Sequence, residues 1–175
     1  MLETYRRQKN IKDVPHKCIP FRLLTKREQE VLQYTADGCS LEEIRRLMGI
    51  STKRVEAIRY QIGVIAITTE GAYYPNQARI TILALIQDGI THGYLTHIPP
   101  EQPVQSLTPR EIEIVGLVSQ GKLQSEIAKE IYVSPKTVNG HMEHIYEKLH
   151  TRNFYQTVAR FTYLRVRIST AQNTA

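Results

Sequence analysis

Short hydrogen-bonding side chains recur on one face of residues 134–149, a segment whose apolar spacing predicts a helix. Asn139 can pair with adenine through two hydrogen bonds, Glu143 can accept a hydrogen bond from cytosine, and Gly140 lets the backbone come close. This chemistry is typical of a helix that reads base edges in the major groove. A helical domain whose polar face meets only water would show the same spacing. The rest of the face is polar or charged: Lys136, Thr137, His144 and Glu147.

The opposite face of this predicted helix is apolar, so it can pack against a core and hold the helix in place. Four residues at helical spacing should face a core. Ser134 is suited to cap the helix, and Pro135 is suited to its first position. The four apolar residues are Val138, Met142, Ile145 and Leu149.

Two more helices are predicted ahead of this one. Thr108 and Glu111 have the spacing of a capping box, and Gly121 is placed to end the first helix. Tyr132 and Val133 then form a tight turn between the second helix and the third. Two helices joined by a short turn, the second capped by serine, are the helix-turn-helix signature. The second helix carries its apolar residues on one side: Ile127, Ala128 and Ile131.

Several short motifs follow one another in this region: LTPRE at 107–111, Gly121, EIA at 126–128, SPKTV at 134–138, His141 and KL at 148–149. With them, residues 107–166 resemble the LuxR/FixJ/NarL (GerE-type) DNA-binding domain. The resemblance implies that Lys136 and Thr137 lie near phosphates. It also implies that Asn139, Gly140 and Glu143 reach bases, although family members often have Lys or Arg in place of Asn139 or Glu143.

Residues 24–62 repeat residues 107–145 at a constant offset of 83 and without a gap. Both helix caps and the glycine that ends the first helix are shared. Twelve identities in 39 positions indicate an internal duplication, and therefore a second helix-turn-helix unit. The identical residues, numbered in the first copy, are Leu24, Thr25, Arg27, Glu28, Glu30, Gly38, Glu43, Ile44, Ser51, Lys53, Val55 and Ile62.

The first copy differs from the second in its helix surfaces. Arg45 stands where the second copy has alanine, and Ile58 stands where it has histidine. Its sequence SLEEIRRLMGISTKRVEAI also resembles the DNA-reading fourth region of bacterial sigma factors, which has the same helix-turn-helix geometry. Basic residues make it the more cationic reader of the two: Arg45, Arg46, Lys53, Arg54 and Arg59. The outward residues predicted to meet DNA are Lys53, Arg54, Glu56, Ala57, Tyr60 and Gln61.

The positive charge of the chain lies towards its two ends and avoids the middle. The net charge is +6 over 175 residues. Residues 1–62 carry 13 basic against 8 acidic residues, residues 63–106 carry 1 against 3, and residues 107–175 carry 9 against 6. Two basic regions around an acidic middle suit a polyanionic partner.

The sequence predicts an all-α protein of two tandem four-helix domains joined by a linker. The basic N-terminal arm either touches the DNA backbone or is a solvated terminus. The β-branched residues after the third helix of the first copy fit a short strand and turn or an extension of that helix. The predicted parts are an arm at 1–22, a divergent first domain at 23–88, a linker at 89–105, a second domain at 106–168 and a tail at 169–175.

A fourth helix is predicted to end each domain, over residues 76–87 and 153–167. Both segments carry more apolar residues than one helix face usually buries. In the family that the chain resembles, this helix often forms the dimer interface, which implies a homodimer through the fourth helices. The alternative is that the apolar residues only close each small domain.

The sequence predicts no enzymatic activity, cofactor or metal site, because it has no phosphate loop, catalytic triad spacing or ligand cluster. Cys18 and Cys39 are isolated, which favours a reduced cytosolic protein. There is no apolar run long enough to span a membrane and no apolar region of a signal peptide. We therefore expect a protein of the bacterial cytoplasm, at the nucleoid.

These features predict a sequence-specific transcription regulator that binds double-stranded DNA through two recognition helices. One alternative is a regulator in which one domain contacts RNA polymerase or another protein, as the sigma-like first copy and the acidic Glu143 and Glu147 suggest. Another alternative is a non-specific nucleoid-type DNA binder. A covalent tandem raises the effective concentration of the second domain, and it permits two unlike half-sites in the same orientation.

Overall fold

A computed structural model describes residues 24–65, 77–96 and 103–172. Within these ranges the chain forms eight helices and no strand, which confirms the predicted all-α class. The predicted arm at 1–22 lies outside the described residues, as do residues 66–76 and 97–102. The helices are α1 Lys26–Ala36, α2 Leu41–Met48, α3 Thr52–Ile65, α4 Gln77–Thr91, α5 Pro109–Ser119, α6 Gln124–Glu130, α7 Pro135–Leu149 and α8 Phe154–Gln172.

Local sequence fixes where most of these helices begin. At Thr25, Ser40 and Thr108 the cap hydroxyl accepts from the backbone N–H of a glutamate three residues later, and that glutamate accepts from the N–H of the cap residue. Ser134 Oγ accepts from Thr137 N at 3.0 Å. These bonds satisfy donors that a first helical turn leaves free, so the predicted caps at Thr108 and Ser134 are confirmed.

Helices α1–α3 and α5–α7 form two equivalent helix-turn-helix units. Ile44 and Val55 are fully buried in the first unit, and Ile127 and Val138 are fully buried in the second. The whole predicted core face of α7 is buried as well. Each third helix is therefore anchored by its apolar face and leaves its polar face outward.

The fourth helices connect the two units. Helix α4 follows the first unit, yet it contributes Leu83 to the core of α5–α7. Helix α8 follows the second unit, yet it contributes Ala159 to the core of α1–α3. Helices α4 and α8 also pack extensively against each other. The two units are interleaved in one packed body.

The segment predicted as a linker, residues 89–105, is partly structured in the described residues. Helix α4 continues to Thr91 because the apolar residues beyond its predicted end have a core to enter. Ile90 and Leu95 are buried in the core of the first unit. Thr96 N donates to Gln33 Oε1 at 3.0 Å. The first unit therefore extends to residue 96.

The other end of the predicted linker is also docked. Gln105 N donates to the carbonyl of Lys148 at 3.0 Å, and Val104 packs against the core of the second unit. Helix α8 runs to Gln172, past residue 169 where a tail was predicted to start. Thr96 and Gln105, on either side of residues 97–102, are therefore bonded to the first and the second unit respectively.

Candidate nucleic-acid interface

The polar face of α7 is presented as the sequence predicts. Gly140 is half-buried, and a Cβ at this position would meet no atom within 4 Å, so the backbone is open to close approach. Thr137 Oγ1 lies 2.8 Å from Ser134 Oγ and belongs to the helix cap. The helix dipole at this first turn favours an anion such as a phosphate. The predicted residues that are exposed are Lys136, Thr137, Asn139, Glu143 and His144.

A chain of hydrogen bonds orders the predicted base-reading residues of α7. Gln124 Nε2 donates to Asn139 Oδ1 at 3.1 Å, and Asn139 Nδ2 donates to Glu143 Oε1 at 2.9 Å. The second carboxylate oxygen of Glu143 can still accept from a base. Asn139 therefore holds Glu143 in place on the exposed face of α7.

Gln124 is a functional candidate that the sequence pattern missed. It is the first residue of α6 and lies 15 positions before Asn139. No local periodicity links the two residues, because their contact depends on the angle between α6 and α7. An exposed glutamine at the start of the second helix of the motif is the one sequence signal that could have indicated it.

The polar face of α3 is the equivalent surface of the first unit. Ser51 Oγ accepts from Arg54 N at 3.2 Å, as Ser134 does in the second unit. Tyr60 is 60% exposed, so an aromatic side chain stands where the second unit has Glu143. Ala57 is half-buried. The predicted residues that are exposed are Lys53, Arg54, Glu56, Tyr60 and Gln61.

The start of α1 adds basic side chains beside α3 that the sequence analysis did not single out. A cleft between these helices is lined by Lys26, Arg27, Arg54 and Gln61, among others. The three cations are exposed. Cations flanking a reading helix suit DNA phosphates, which fix the position of a protein on the duplex.

The other predicted cations of the first unit contact side chains within the protein. Arg45 donates to Glu42 at 2.7 Å, and Arg46 lies 3.9 Å from the same carboxylate. The Arg59 guanidinium lies 5.1 Å from the centre of the Tyr155 ring on α8, in cation–π geometry. The cationic character that the sequence predicts for this unit is thus concentrated at the starts of α1 and α3.

Buried polar contacts bind α7 to α5 and α8. Lys148 Nζ donates to both carboxylate oxygens of Glu111 at 2.8 Å. The Arg160 guanidinium, on a residue only 4% exposed, donates to the carbonyl of Leu149 at 2.7 Å. This bond satisfies a carbonyl that the end of α7 would otherwise leave unpaired. These contacts fix the C-terminal end of the predicted recognition helix, and the Ser134 cap fixes its start.

The described residues offer neither a metal site nor a membrane-spanning helix. No group of three or more His, Cys, Asp or Glu side chains in them is arranged to hold a metal ion. None of their helices combines the length and apolar character that a membrane crossing needs.

Comparison with known families agrees with the duplicated geometry. The family model described as bacterial regulatory proteins, luxR family, matches residues 22–63 and 105–161. The two matched segments contain the two helix-turn-helix units, and together they include more than half of the chain. No solved structure matches the chain significantly.

Similar proteins are bacterial regulators of greater length. An HTH-type transcriptional regulator of Mycobacterium tuberculosis is 52% identical over 44 residues, which are 25% of this chain and 5% of that protein. The oxygen regulatory protein NreC of Staphylococcus haemolyticus is 33% identical over 66 residues, 38% of this chain and 30% of that protein. The transcriptional regulatory protein LiaR of Bacillus subtilis is 45% identical over 47 residues, 27% of this chain and 22% of that protein. The chain thus spans a third or less of these relatives. With a helix-turn-helix unit in each matched segment, it belongs to the luxR family of bacterial regulatory proteins.

Proposed function

We propose that this chain is a transcription regulator that binds double-stranded DNA in a sequence-specific way, with α3 and α7 in the major groove. The duplicated, serine-capped third helix carries the proposal. In both units a core anchors one face of this helix and leaves the other face polar and exposed. The proposed place of action is the nucleoid of the bacterial cytoplasm.

We assign most of the affinity for DNA to the first unit. Lys26, Arg27, Lys53 and Arg54 are exposed around the start of α3, whereas the outward face of α7 offers one lysine and two carboxylates. Each cation that neutralises a phosphate releases a counterion and makes binding more sensitive to salt. The first unit should therefore account for most of the salt dependence.

Base selection in the second unit is assigned to Asn139 and Glu143. Their mutual hydrogen bond orients the Asn139 amide before DNA is bound. Asn pairs well with adenine and Glu with cytosine. Lys136, at the second position of α7, is assigned to a phosphate.

The test is selection of bound fragments from random DNA, followed by binding measurements on the selected site. Asn139→Ala should relax base preference at one position, with a loss of about 1–3 kcal/mol for the preferred base. Lys136→Ala should weaken binding to all sequences alike and reduce the salt slope by about one. The two effects differ because Asn139 would contact a base and Lys136 would contact a phosphate.

Lys129→Ala is the matched control, because Lys129 is an exposed cation of α6 outside the assigned set. It should change neither base preference nor salt slope appreciably. Equal binding to selected and unrelated DNA would contradict the proposal and favour a non-specific nucleoid protein. An unchanged motif with Asn139→Ala would remove α7 from the assigned base readers.

A second candidate function is contact with RNA polymerase or another regulator through the second unit. The exposed carboxylates of Glu143 and Glu147 favour this alternative, because acidic groups repel phosphates. The exposed apolar surface of Ile112 and Tyr132 in the same unit also suits a protein partner. Charge reversal with Glu147→Lys separates the two: it should strengthen DNA binding if α7 lies in the groove.

A further inference from the structure

The two units exchange equivalent contacts. Gly38 and Gly121 are equivalent positions in the repeat, 83 residues apart, and each ends the first helix of its unit. A Cβ on Gly38 would lie 2.5 Å from Gln156 on α8, and a Cβ on Gly121 would lie 2.3 Å from Ile80 on α4. Each glycine therefore admits the first turns of the fourth helix that belongs to the other unit.

A second pair of contacts repeats the exchange three residues further along each fourth helix. Leu83 lies three residues after Ile80 and enters the core of the second unit. Ala159 lies three residues after Gln156 and enters the core of the first unit. The same spacing along α4 and α8 thus serves both cores.

Two hydrogen bonds also cross between the units, although they arise from non-equivalent positions of the fourth-helix regions. Gln87 Nε2 on α4 donates to the carbonyl of Ser119 at the end of α5, at 3.1 Å. Asn153 Nδ2, just before α8, donates to the carbonyl of Gly38 after α1, at 3.0 Å. In both cases a side-chain amide from one fourth-helix region satisfies a carbonyl at the end of the other unit's first helix.

The reciprocal contacts of the two glycines, and of Leu83 and Ala159, are those of an isologous interface, in which a patch on one unit meets the same patch on the other about a two-fold axis. A head-to-tail tandem would instead use two different patches. The repeated units are therefore related by an approximate two-fold axis between α4 and α8.

We propose that a single chain is a covalent pseudo-dimer whose DNA site contains two unlike half-sites in inverted orientation. This inference rests on the proposed function of α3 and α7 as DNA readers. A two-fold axis in the protein requires half-sites of opposite direction, with centres about 10–10.5 base pairs apart or a multiple of that distance. The half-sites differ because the equivalent outward residues differ: Glu56 and Asn139, Ala57 and Gly140, Tyr60 and Glu143, Gln61 and His144.

The same packing determines the stoichiometry. The apolar residues of α4 and of the first turns of α8 pack within the chain, against each other and in the exchanged cores, whereas Ile168 near the end of α8 is 59% exposed. A second copy is therefore not needed to complete the interface. One chain should occupy one DNA site, where a single-unit protein would need two chains for two half-sites.

The direct test is affinity cleavage of the selected DNA site. Arg46 and Lys129 are equivalent, exposed positions on α2 and α6, outside the assigned reading residues. Arg46→Cys and Lys129→Cys, each in a Cys18→Ser, Cys39→Ser background, would carry an iron chelate that cuts nearby DNA. Cuts placed symmetrically about the centre of the footprint are expected. Cuts displaced in the same direction from both half-sites would overturn the proposal.

A second test lengthens the connection without touching either unit. Six Gly and Ser residues inserted between Pro99 and Pro100 should leave affinity within about twofold and the preferred half-site spacing unchanged. Units held only by a tether would tolerate a wider range of spacings after the insertion, because a longer flexible linker lowers and spreads the effective concentration. Broadened spacing would therefore reject the pseudo-dimer.

Sedimentation of the protein–DNA complex completes the design. One chain per site is expected, and two chains per site would overturn the proposal. The outcomes also separate this inference from the proposed function. A specific site with cuts displaced in one direction, or with two chains, rejects only the pseudo-dimer. Failure to select any specific site rejects DNA reading itself, and the inference with it.

Discussion

One left-handed residue forms the turn before each recognition helix, and the two units use different side chains there. Gly49 has φ 63° and the equivalent Tyr132 has φ 55°. A residue with a Cβ loses about 1–2 kcal/mol in this conformation. The Tyr132 side chain is 95% exposed, so burial of its ring cannot offset the strain. The helices on either side impose the conformation in the second unit.

Substitutions at these two positions give the first prediction. Tyr132→Gly should raise the free energy of unfolding by up to about 1 kcal/mol, because relief of strain is partly offset by the greater freedom of glycine in the unfolded chain. Gly49→Ala, the reciprocal control, should lower it by about 1 kcal/mol. Urea denaturation measures both. A loss of more than 1 kcal/mol in Tyr132→Gly would mean that the ring stabilises the fold.

Gln124 gives a prediction about specificity. Gln124→Ala removes the bond to Asn139 Oδ1 and leaves the amide held only by its bond to Glu143. Discrimination at the base assigned to Asn139 should fall by about 1 kcal/mol, while the free energy of unfolding stays nearly constant, since the bond is exposed. Ser125→Ala is the control on the same helix. Binding to a panel of sites with single base changes would detect the difference, and an unchanged panel would contradict the positioning role.

At this scale, the sequence was informative wherever a contact is local. The cap at Ser134 and the exposed face of α7 could be predicted because both depend on residues within a few positions of one another. The contacts of Gln124 and Arg59 could not, since they depend on where α6 and α8 lie in space. Equivalent residues of the two copies therefore face different environments even where the repeat is aligned without a gap.

Helix α7 depends on a buried ion pair that the first unit lacks. Glu111 is 3% exposed and accepts from Lys148, whereas Ile65 stands at the equivalent of Lys148 in the first copy. Burial alone would raise the pKa of the Glu111 carboxyl. Hydrogen bonds from Lys148 and Thr108 more than offset this effect and hold the pKa below its ordinary value. The first helix of the unit is thereby tied to the end of the recognition helix.

The direction of this pKa shift makes a prediction about pH. A carboxyl whose pKa is lowered by folding contributes stability that is present above the unfolded value, roughly 4.3, and is lost as pH falls through the folded value. Lys148→Met should reduce the free energy of unfolding at pH 7 by about 2–3 kcal/mol, because it leaves a buried charge unpaired. The difference from wild type should shrink towards pH 4, as protonation removes that charge.

Lys122→Met is the matched control, since Lys122 pairs with Glu130 on a more exposed surface. It should cost only about 0–1 kcal/mol with little dependence on pH. Thermal unfolding at a series of pH values compares the two variants. A constant difference between Lys148→Met and wild type from pH 7 to pH 4 would contradict the assigned role of Glu111.

Helix starts could be predicted more reliably than helix ends. The starts of α5 and α7 depend on hydroxyl and proline signals at one or two positions. The end of α4 depends on Ile90, and the fold beyond it on Leu95, both of which enter the core of the first unit. No local signal in a stretch rich in glycine and proline indicates that such a core is within reach.

In the whole molecule, the duplication predicts two units but not their arrangement. The sequence shows surplus apolar residues in the fourth helices and predicts that a second copy or their own domain covers them. The structure supplies a third surface, which is the other half of the same chain. Periodicity indicates that a face must be buried, but it does not identify the surface that covers it.

Interleaved cores should make the two units unfold together. Val138 is fully buried in the second unit. In the sequence it lies far from the residues that form the core of the first unit. Val138→Ala should reduce the free energy of unfolding by roughly 1–3 kcal/mol through lost burial and a residual cavity. If the cores open as one cooperative body, this loss should also appear in the hydrogen-exchange protection of the first unit.

The measurement compares exchange of the Ile44 and Ile127 amides, one within the second helix of each unit, under conditions where exchange reports global opening. In Val138→Ala both amides should lose protection by the same amount, and Val55→Ala should act in the same way from the other side. The surface change Ser125→Ala serves as control and should leave both amides unchanged. Independent units on a tether would lose protection only in the unit that carries the substitution. Equal losses are expected because Leu83 and Ala159 cannot leave the cores that they enter without opening the opposite unit.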